Sequence, residues 1–173
     1  MIVANWKMNG SKEEVDSWLR FVSSNISPNK DNICIFCPPS CYLDYSSSLI
    51  KEISSPVQLG SQNLNFSGNS ALTGGISSQM LKDLSAEYVL IGHSEQRQYF
   101  SEDNDSLKSK ITDALTIDIS PIFCIGEPQE IKAENRTKEY LSRQLEILDS
   151  FDLNLITIAY EPIWAIGSGE NAD

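Results

Sequence analysis

The feature that most constrains this fold is an alternation of short, almost uninterrupted apolar runs with amphipathic stretches. The runs cover residues 2–6, 33–37, 57–61, 88–91, 120–125 and 155–160. A strand wetted on one face alternates apolar and polar residues. Runs that are apolar at nearly every position belong to parallel strands covered on both faces. Parallel neighbours need a crossover, and the amphipathic stretches between the runs supply it. The repeat is roughly 30 residues, the length of one strand–helix unit.

The helix signals agree. Ser11-Lys12-Glu13-Glu14 has the spacing of a capping box and opens a helix that turns Val15, Trp18, Leu19 and Val22 inward. Further helices fit 40–53, 77–84, 103–116 and 134–150. No polar linker divides the chain, so residues 1–173 read as one domain. Such a series folds either as an open doubly wound sheet or as a barrel. No Gly-x-Gly-x-x-Gly follows the first run, which weakens the dinucleotide-binding version of the open sheet. Polar and ionisable residues cluster where the strands end: Asn5 and Lys7, Gln62 and Asn63, His93 and Glu95, Glu161. A barrel gathers all of these ends on one face, so the barrel is the expected fold.

The net charge of −11 and pI of about 4.5 argue against a nucleic-acid partner, which needs a basic surface. They leave room for a small anionic substrate at a locally positive site. No apolar run approaches the ~18 residues of a membrane span. Met1 leads directly into Ile2-Val3-Ala4 without a basic leader, so the expected location is cytoplasmic. Four cysteines, Cys34, Cys37, Cys41 and Cys124, fit a reducing compartment. No metal site is expected from them, because Cys34 and Cys37 should face opposite sides of one strand and no histidine is near.

Glu161 carries the strongest chemical signal. It ends an apolar strand and precedes Pro162-Ile163-Trp164-Ala165-Ile166-Gly167-Ser168-Gly169, a loop bounded by Gly167 and Gly169. A carboxylate under a hinged cover suits a general base, and burial there is expected to raise its pKa. His93 is the only histidine and stands just before Ser94-Glu95-Gln96-Arg97, which can begin a helix. A helix N-terminus disfavours the imidazolium, so a neutral ring that donates a hydrogen bond to a carbonyl oxygen is expected. Lys7 can hold an anionic substrate, Asn5 can support Lys7, and Glu95 can pair with Lys7 across the rim. Cys124 reads as a packing residue, since no second histidine exists to activate it. Backbone N–H groups of the Gly-rich loop can bind a phosphate.

These residues closely resemble the triose-phosphate isomerase family over essentially the whole chain. The stretches that carry the resemblance are Asn5-Trp6-Lys7-Met8-Asn9-Gly10, Gly60-Ser61-Gln62-Asn63, Leu72-Thr73-Gly74, Ile91-Gly92-His93-Ser94-Glu95, Cys124-Ile125-Gly126-Glu127 and 159–169. The resemblance implies an α/β TIM (β/α)8 barrel. It implies interconversion of dihydroxyacetone phosphate and glyceraldehyde 3-phosphate, without metal or cofactor. Glu161 would be the base, His93 the neutral electrophile, Lys7 the cation that stabilises the substrate, and Asn5 a placing residue. Glu95 and Cys124 would support them. Residues 162–168 would form the lid, with Ile166, Gly167 and Ser168 at its tip and the Gly167 N–H on the phosphate. The lid would exclude water and so protect the enediolate from losing phosphate.

The chain departs from the family pattern in length and in two tripeptides. The family barrel runs to ~250 residues, and this sequence stops where the sixth large helix should begin. Six of eight strands are therefore expected, with the last two βα units and their phosphate-gripping loops beyond Asp173. Such a chain should fold poorly or turn over slowly, and the first and sixth strands should be bare edges with apolar surface exposed. Thr73-Gly74-Gly75 stands where the family has Thr-Gly-Glu, and Glu95-Gln96-Arg97 where it has Glu-Arg-Arg. The resemblance implies that the two replaced residues meet across a dimer interface. Both partners are replaced here, so neither charge is left unpaired. A homodimer built around the Thr73 loop is still expected for the complete protein. The alternatives are another phosphosugar isomerase and a non-enzymatic remnant or interaction protein.

Overall fold

A computed structural model of the chain describes residues 1–27, 32–65 and 70–166. Among these residues six strands pair in sequence order, every pair parallel. They are β1 (Ile2–Asn5), β2 (Cys34–Cys37), β3 (Gln58–Ser61), β4 (Tyr88–Ile91), β5 (Ser120–Ile125) and β6 (Thr157–Tyr160). The main crossover helices are α1 (Lys12–Asn25), α2 (Leu43–Glu52), α3 (Ser78–Asp83), α4 (Ser94–Tyr99), α5 (Asn104–Thr116), α6 (Gln129–Ala133) and α7 (Thr137–Leu145).

Each strand is apolar on both sides because each side has its own cover. Phe36, Val89, Ile91, Phe123 and Ile125 point outward against the helices, where Val15, Leu19, Leu81, Leu107, Ile111 and Ala114 meet them. Ile35, Cys37, Leu90, Ile122 and Cys124 point the other way and pack on one another. Val3 of β1 and Ala159 of β6 join that same inner cluster. The sheet is a curled half-barrel that wraps this inner cluster. Cys34 packs on the outer side and Cys37 on the inner, as the period of a strand requires.

The expected bare edges are visible among the described residues. β1 pairs only with β2 and β6 only with β5, and Ile2 is 71% exposed while Ile158 and Tyr160 are each 45% exposed. Ser11 caps α1 by accepting the Glu14 N–H at 3.2 Å, as its capping-box spacing predicts. Two expectations need correction. The helix expected over 134–150 is shorter: α7 covers only Thr137–Leu145, and Glu146–Ser150 form a 3-10 turn. Asn135 (φ +57°) lies between α6 and α7 in the left-handed region, which asparagine tolerates and a continuous helix does not. The sixth strand begins at Thr157 rather than at 155, because Leu153–Leu155 form a 3-10 turn capped by the Asp152 side chain.

Candidate active site

The carboxyl ends of β1, β3, β4 and β6 deliver the polar residues to one rim. Lys7 lies just past β1 with φ +52°, a conformation that costs a non-glycine residue about 1 kcal/mol or more. Side chains hold it there from both ends. The Lys7 N–H donates to Asn5 Oδ1 at 2.9 Å, and its carbonyl accepts from Gln62 Nε2 at 2.8 Å. Gln62 also donates to the Cys37 carbonyl at 3.0 Å, tying β1, β2 and the loop after β3 together. The Lys7 ammonium meets Glu95 Oε1 at 2.9 Å, which is the pairing that the sequence anticipates.

His93 is the N-cap of α4 and is nearly buried. Its Nδ1 accepts the Glu95 N–H at 3.2 Å, with Glu95 Oε2 3.4 Å away. A ring nitrogen that accepts carries no proton, so the imidazole proton sits on Nε2. That Nε2 faces Glu161 Oε2 at 3.0 Å. The Gly92 hinge that aims His93 has φ +72°, and a Cβ there would lie 2.7 Å from the Arg97 guanidinium.

Glu161 corrects one expectation. Its carboxyl is half-exposed, and its pKa lies below the ordinary carboxylate value rather than above it. The hydrogen bond from His93 is the main cause; burial opposes it, and the nearby Lys7 charge lowers it further. The bulky neighbour invoked to bury it looks elsewhere: the Trp164 indole donates to Glu127, not towards Glu161. Cys124 is buried in the inner cluster with its thiol pushed up to about 12 by desolvation, which suits packing and not nucleophilic work.

The segment after Glu161 begins with Pro162 and a 3-10 turn, Ile163–Ala165, followed by Ile166. Gly167, Ser168 and Gly169, expected at or just beyond the tip of the lid, lie outside the described residues. Thr73 and the 70–76 loop are described. Gly75 N–H donates to the Leu72 carbonyl at 3.2 Å, and a Cβ at Gly75 would press on Leu72 and Asn65. Gln96 turns inward and accepts from Asn63 Nδ2 at 3.0 Å.

Several supporting residues escaped the reading of side-chain chemistry from sequence. Glu127 is 1% exposed and accepts from Tyr160 OH at 3.1 Å, Trp164 Nε1 at 3.0 Å and Thr137 Oγ1 at 3.3 Å. It fastens the base of the lid to the end of β5. The signal was present: Glu127-Pro128 follows an apolar run just as Glu161-Pro162 does. Arg97 donates from Nε to the Gly92 carbonyl at 2.7 Å and from Nη2 to the Cys124 carbonyl at 3.2 Å, bridging β4 and β5 beneath His93. Lys110 pairs with Glu102 and donates to Asn63 Oδ1 at 2.8 Å, anchoring the loop after β3 to α5. No local motif marks Arg97 or Lys110, because Cys124 and Asn63, the partners that tie them to other strands, are distant in sequence.

The strand ends thus bring a carboxylate, an imidazole and a cation together, with Glu161 against His93 and Lys7 against Glu95. Comparison with known proteins agrees with this arrangement. The family model for triosephosphate isomerase matches residues 1–173. Triosephosphate isomerase of Dictyoglomus turgidum is 39% identical over 176 residues, spanning 99% of this chain and 70% of that protein. The Buchnera aphidicola (subsp. Schizaphis graminum) enzyme is 39% identical over 179 residues, 100% of this chain and 69% of its own. That of Vibrio cholerae is 36% identical over 176 residues, with 99% and 68% covered. The order of strands, the residues at their ends and these likenesses lead to one conclusion: the chain belongs to the triosephosphate isomerase family.

Proposed function

We propose that this chain interconverts dihydroxyacetone phosphate and D-glyceraldehyde 3-phosphate, a step of glycolysis and gluconeogenesis, by enediolate proton transfer. The observation that carries the reading is the 3.0 Å approach of Glu161 Oε2 to His93 Nε2, beside the Lys7 ammonium. The substrate's carbonyl and its neighbouring C–H group would enter between them. Glu161 takes the proton from one carbon and returns it to the next. The His93 Nε2–H donates to the oxygen on which negative charge develops, and Lys7 stabilises the anion. Asn5 places Lys7, with Glu95 and Cys124 as supports. No cofactor is required, because base, proton donor and cation are all side chains.

In the present arrangement Glu161 is a weak base, held by His93 and partly wet. Substrate binding would break the His93 contact. Closure of the 162–168 lid would remove water, and both changes raise the carboxylate's basicity. Backbone N–H groups of Gly167 and Ser168 would hold the phosphate. The protein would be a cytoplasmic homodimer, with the Thr73 loop reaching a partner's rim.

The test is isomerisation of glyceraldehyde 3-phosphate by the chain, purified from a host lacking its own isomerase. Turnover that nearly vanishes in Glu161→Gln, with the fold intact, supports the reading. Turnover unaffected by Glu161→Gln would remove Glu161 as the base. No turnover by the unmodified chain would favour the non-enzymatic remnant.

A further inference from the structure

β5 outruns its neighbour β4. Their last register pair is Ile91 with Phe123, and the chain leaves β4 at Gly92, whose φ is +72°. β5 continues to Ile125 and runs on into the buried Gly126. On one side this extension is served by backbone, since the Ile125 carbonyl accepts the Glu161 N–H at 2.9 Å. Where β4 has ended, side chains take over. Arg97 donates to the Cys124 carbonyl at 3.2 Å. Gln144, in the last turn of α7, serves Gly126 twice. Its Oε1 accepts the Gly126 N–H at 2.9 Å, and its Nε2 donates to the Gly126 carbonyl at 3.3 Å. A carboxamide carries the donor and the acceptor of a peptide group, so Gln144 does for Gly126 what one residue of a neighbouring strand would do.

Gly126 is also where this extension touches the residue at the end of β6. A Cβ there would run into the Glu161 carbonyl oxygen and lie 2.9 Å from its carbonyl carbon, so the two backbones are in contact. The Glu161 carboxylate in turn meets His93 Nε2 at 3.0 Å. We propose that Gln144 is a positioning residue for Glu161: by standing in for a strand at Gly126, it sets how closely the Glu161 carboxylate approaches His93. Its role in turnover rests on reading Glu161 as the base; its hold on the carboxylate does not. Gln144 acts from a helix, through two backbone contacts.

The chain carrying 13C-carboxyl glutamate tests this by NMR titration, with Glu161→Gln and Glu139→Gln identifying two resonances. Glu139 is the control: it lies on α7, and Arg136 and Arg143 hold its carboxyl low independently of Gly126. Gln144→Met removes both hydrogen bonds at similar volume. Gln144→Asn keeps an amide that is one methylene too short to span them, and serves if the Met variant does not fold. In either, exchange of the Gly126 amide should quicken. The Glu161 midpoint should rise towards the ordinary carboxylate value as the His93 contact loosens, while that of Glu139 stays in place. In an active parent, kcat should fall about 10- to 100-fold because the base is misplaced, with KM within about twofold. A Glu161 titration that stays put while Gly126 exchange quickens would overturn the proposal. An equal shift of Glu139 would show general loosening and overturn it as well, and so would an unaltered kcat in an active chain. The titration needs no turnover, so an inactive parent would defeat the isomerase reading and leave this test standing.

Discussion

Gly126→Ala should damage stability and activity together, because the missing side chain makes room for the base. Gly126 follows β5 and lies between two hydrogen bonds that carry Glu161 and the lid. The Glu161 N–H donates to the Ile125 carbonyl at 2.9 Å, and the Ile163 N–H donates to the Glu127 carbonyl at 3.0 Å. A Cβ built on Gly126 would collide with the Glu161 carbonyl oxygen and lie 2.9 Å from its carbonyl carbon. The obstacle is backbone, which cannot swing aside as a long side chain can. Gly126 cannot retreat easily either, since its N–H and carbonyl are both held by the Gln144 amide at 2.9 and 3.3 Å. Overpacking of this kind costs about 1–3 kcal/mol. Losing one of the flanking hydrogen bonds adds about 1 kcal/mol. A total of about 3 kcal/mol lowers Tm by roughly 6–12 °C in a chain of this size. Displacing Glu161 by about 1 Å would cost on the order of 100-fold in turnover. Thermal unfolding followed by circular dichroism, and the isomerase assay, measure the two effects. The reasoning fails if the variant unfolds within about 1 °C of the parent, as a neutral surface change would, and keeps its turnover.

Three further outcomes follow from contacts at the rim. Asn5→Ala removes the acceptor that holds Lys7 in the left-handed region, and should cost about 1 kcal/mol by urea unfolding while raising KM for the triose phosphate; an unaltered KM would contradict the placing role. Glu127→Ala leaves the Tyr160, Trp164 and Thr137 donors without their shared acceptor. It should destabilise by about 2–4 kcal/mol and change Trp164 fluorescence, and a loss below 1 kcal/mol would refute the anchoring role. The Glu161 carboxyl is depressed below 4.5 in the fold, so its contribution is complete above that value and lost as pH falls through the lower folded pKa. Urea midpoints compared between the parent and Glu161→Gln should therefore converge on acidification below 4.5, and a constant difference would refute the assignment.

The sequence by itself determined the strand–helix order. Runs such as 121–125 are apolar at every position, and parallel strands covered on both faces make use of that pattern. It also determined that Lys7, His93 and Glu161 would share one rim, since each stands just past the end of such a run. Even the Lys7–Glu95 pairing could be anticipated, because both residues end strands on the same side. The tertiary structure decided what long-range contact controls. Asn135 delays the helix expected over 134–150 to Thr137 through a left-handed backbone conformation that amphipathic periodicity does not register. The basicity of Glu161 depends on which groups face it. The sequence shows Pro162 and Trp164 beside it and suggests burial, but the fold turns the indole onto Glu127 and gives the carboxylate a donor from 68 residues away in His93. Arg97 and Gln144 belong to the same class. Each acts on a partner brought near only by curling the sheet and laying helices over it, so no spacing along the chain records the contact.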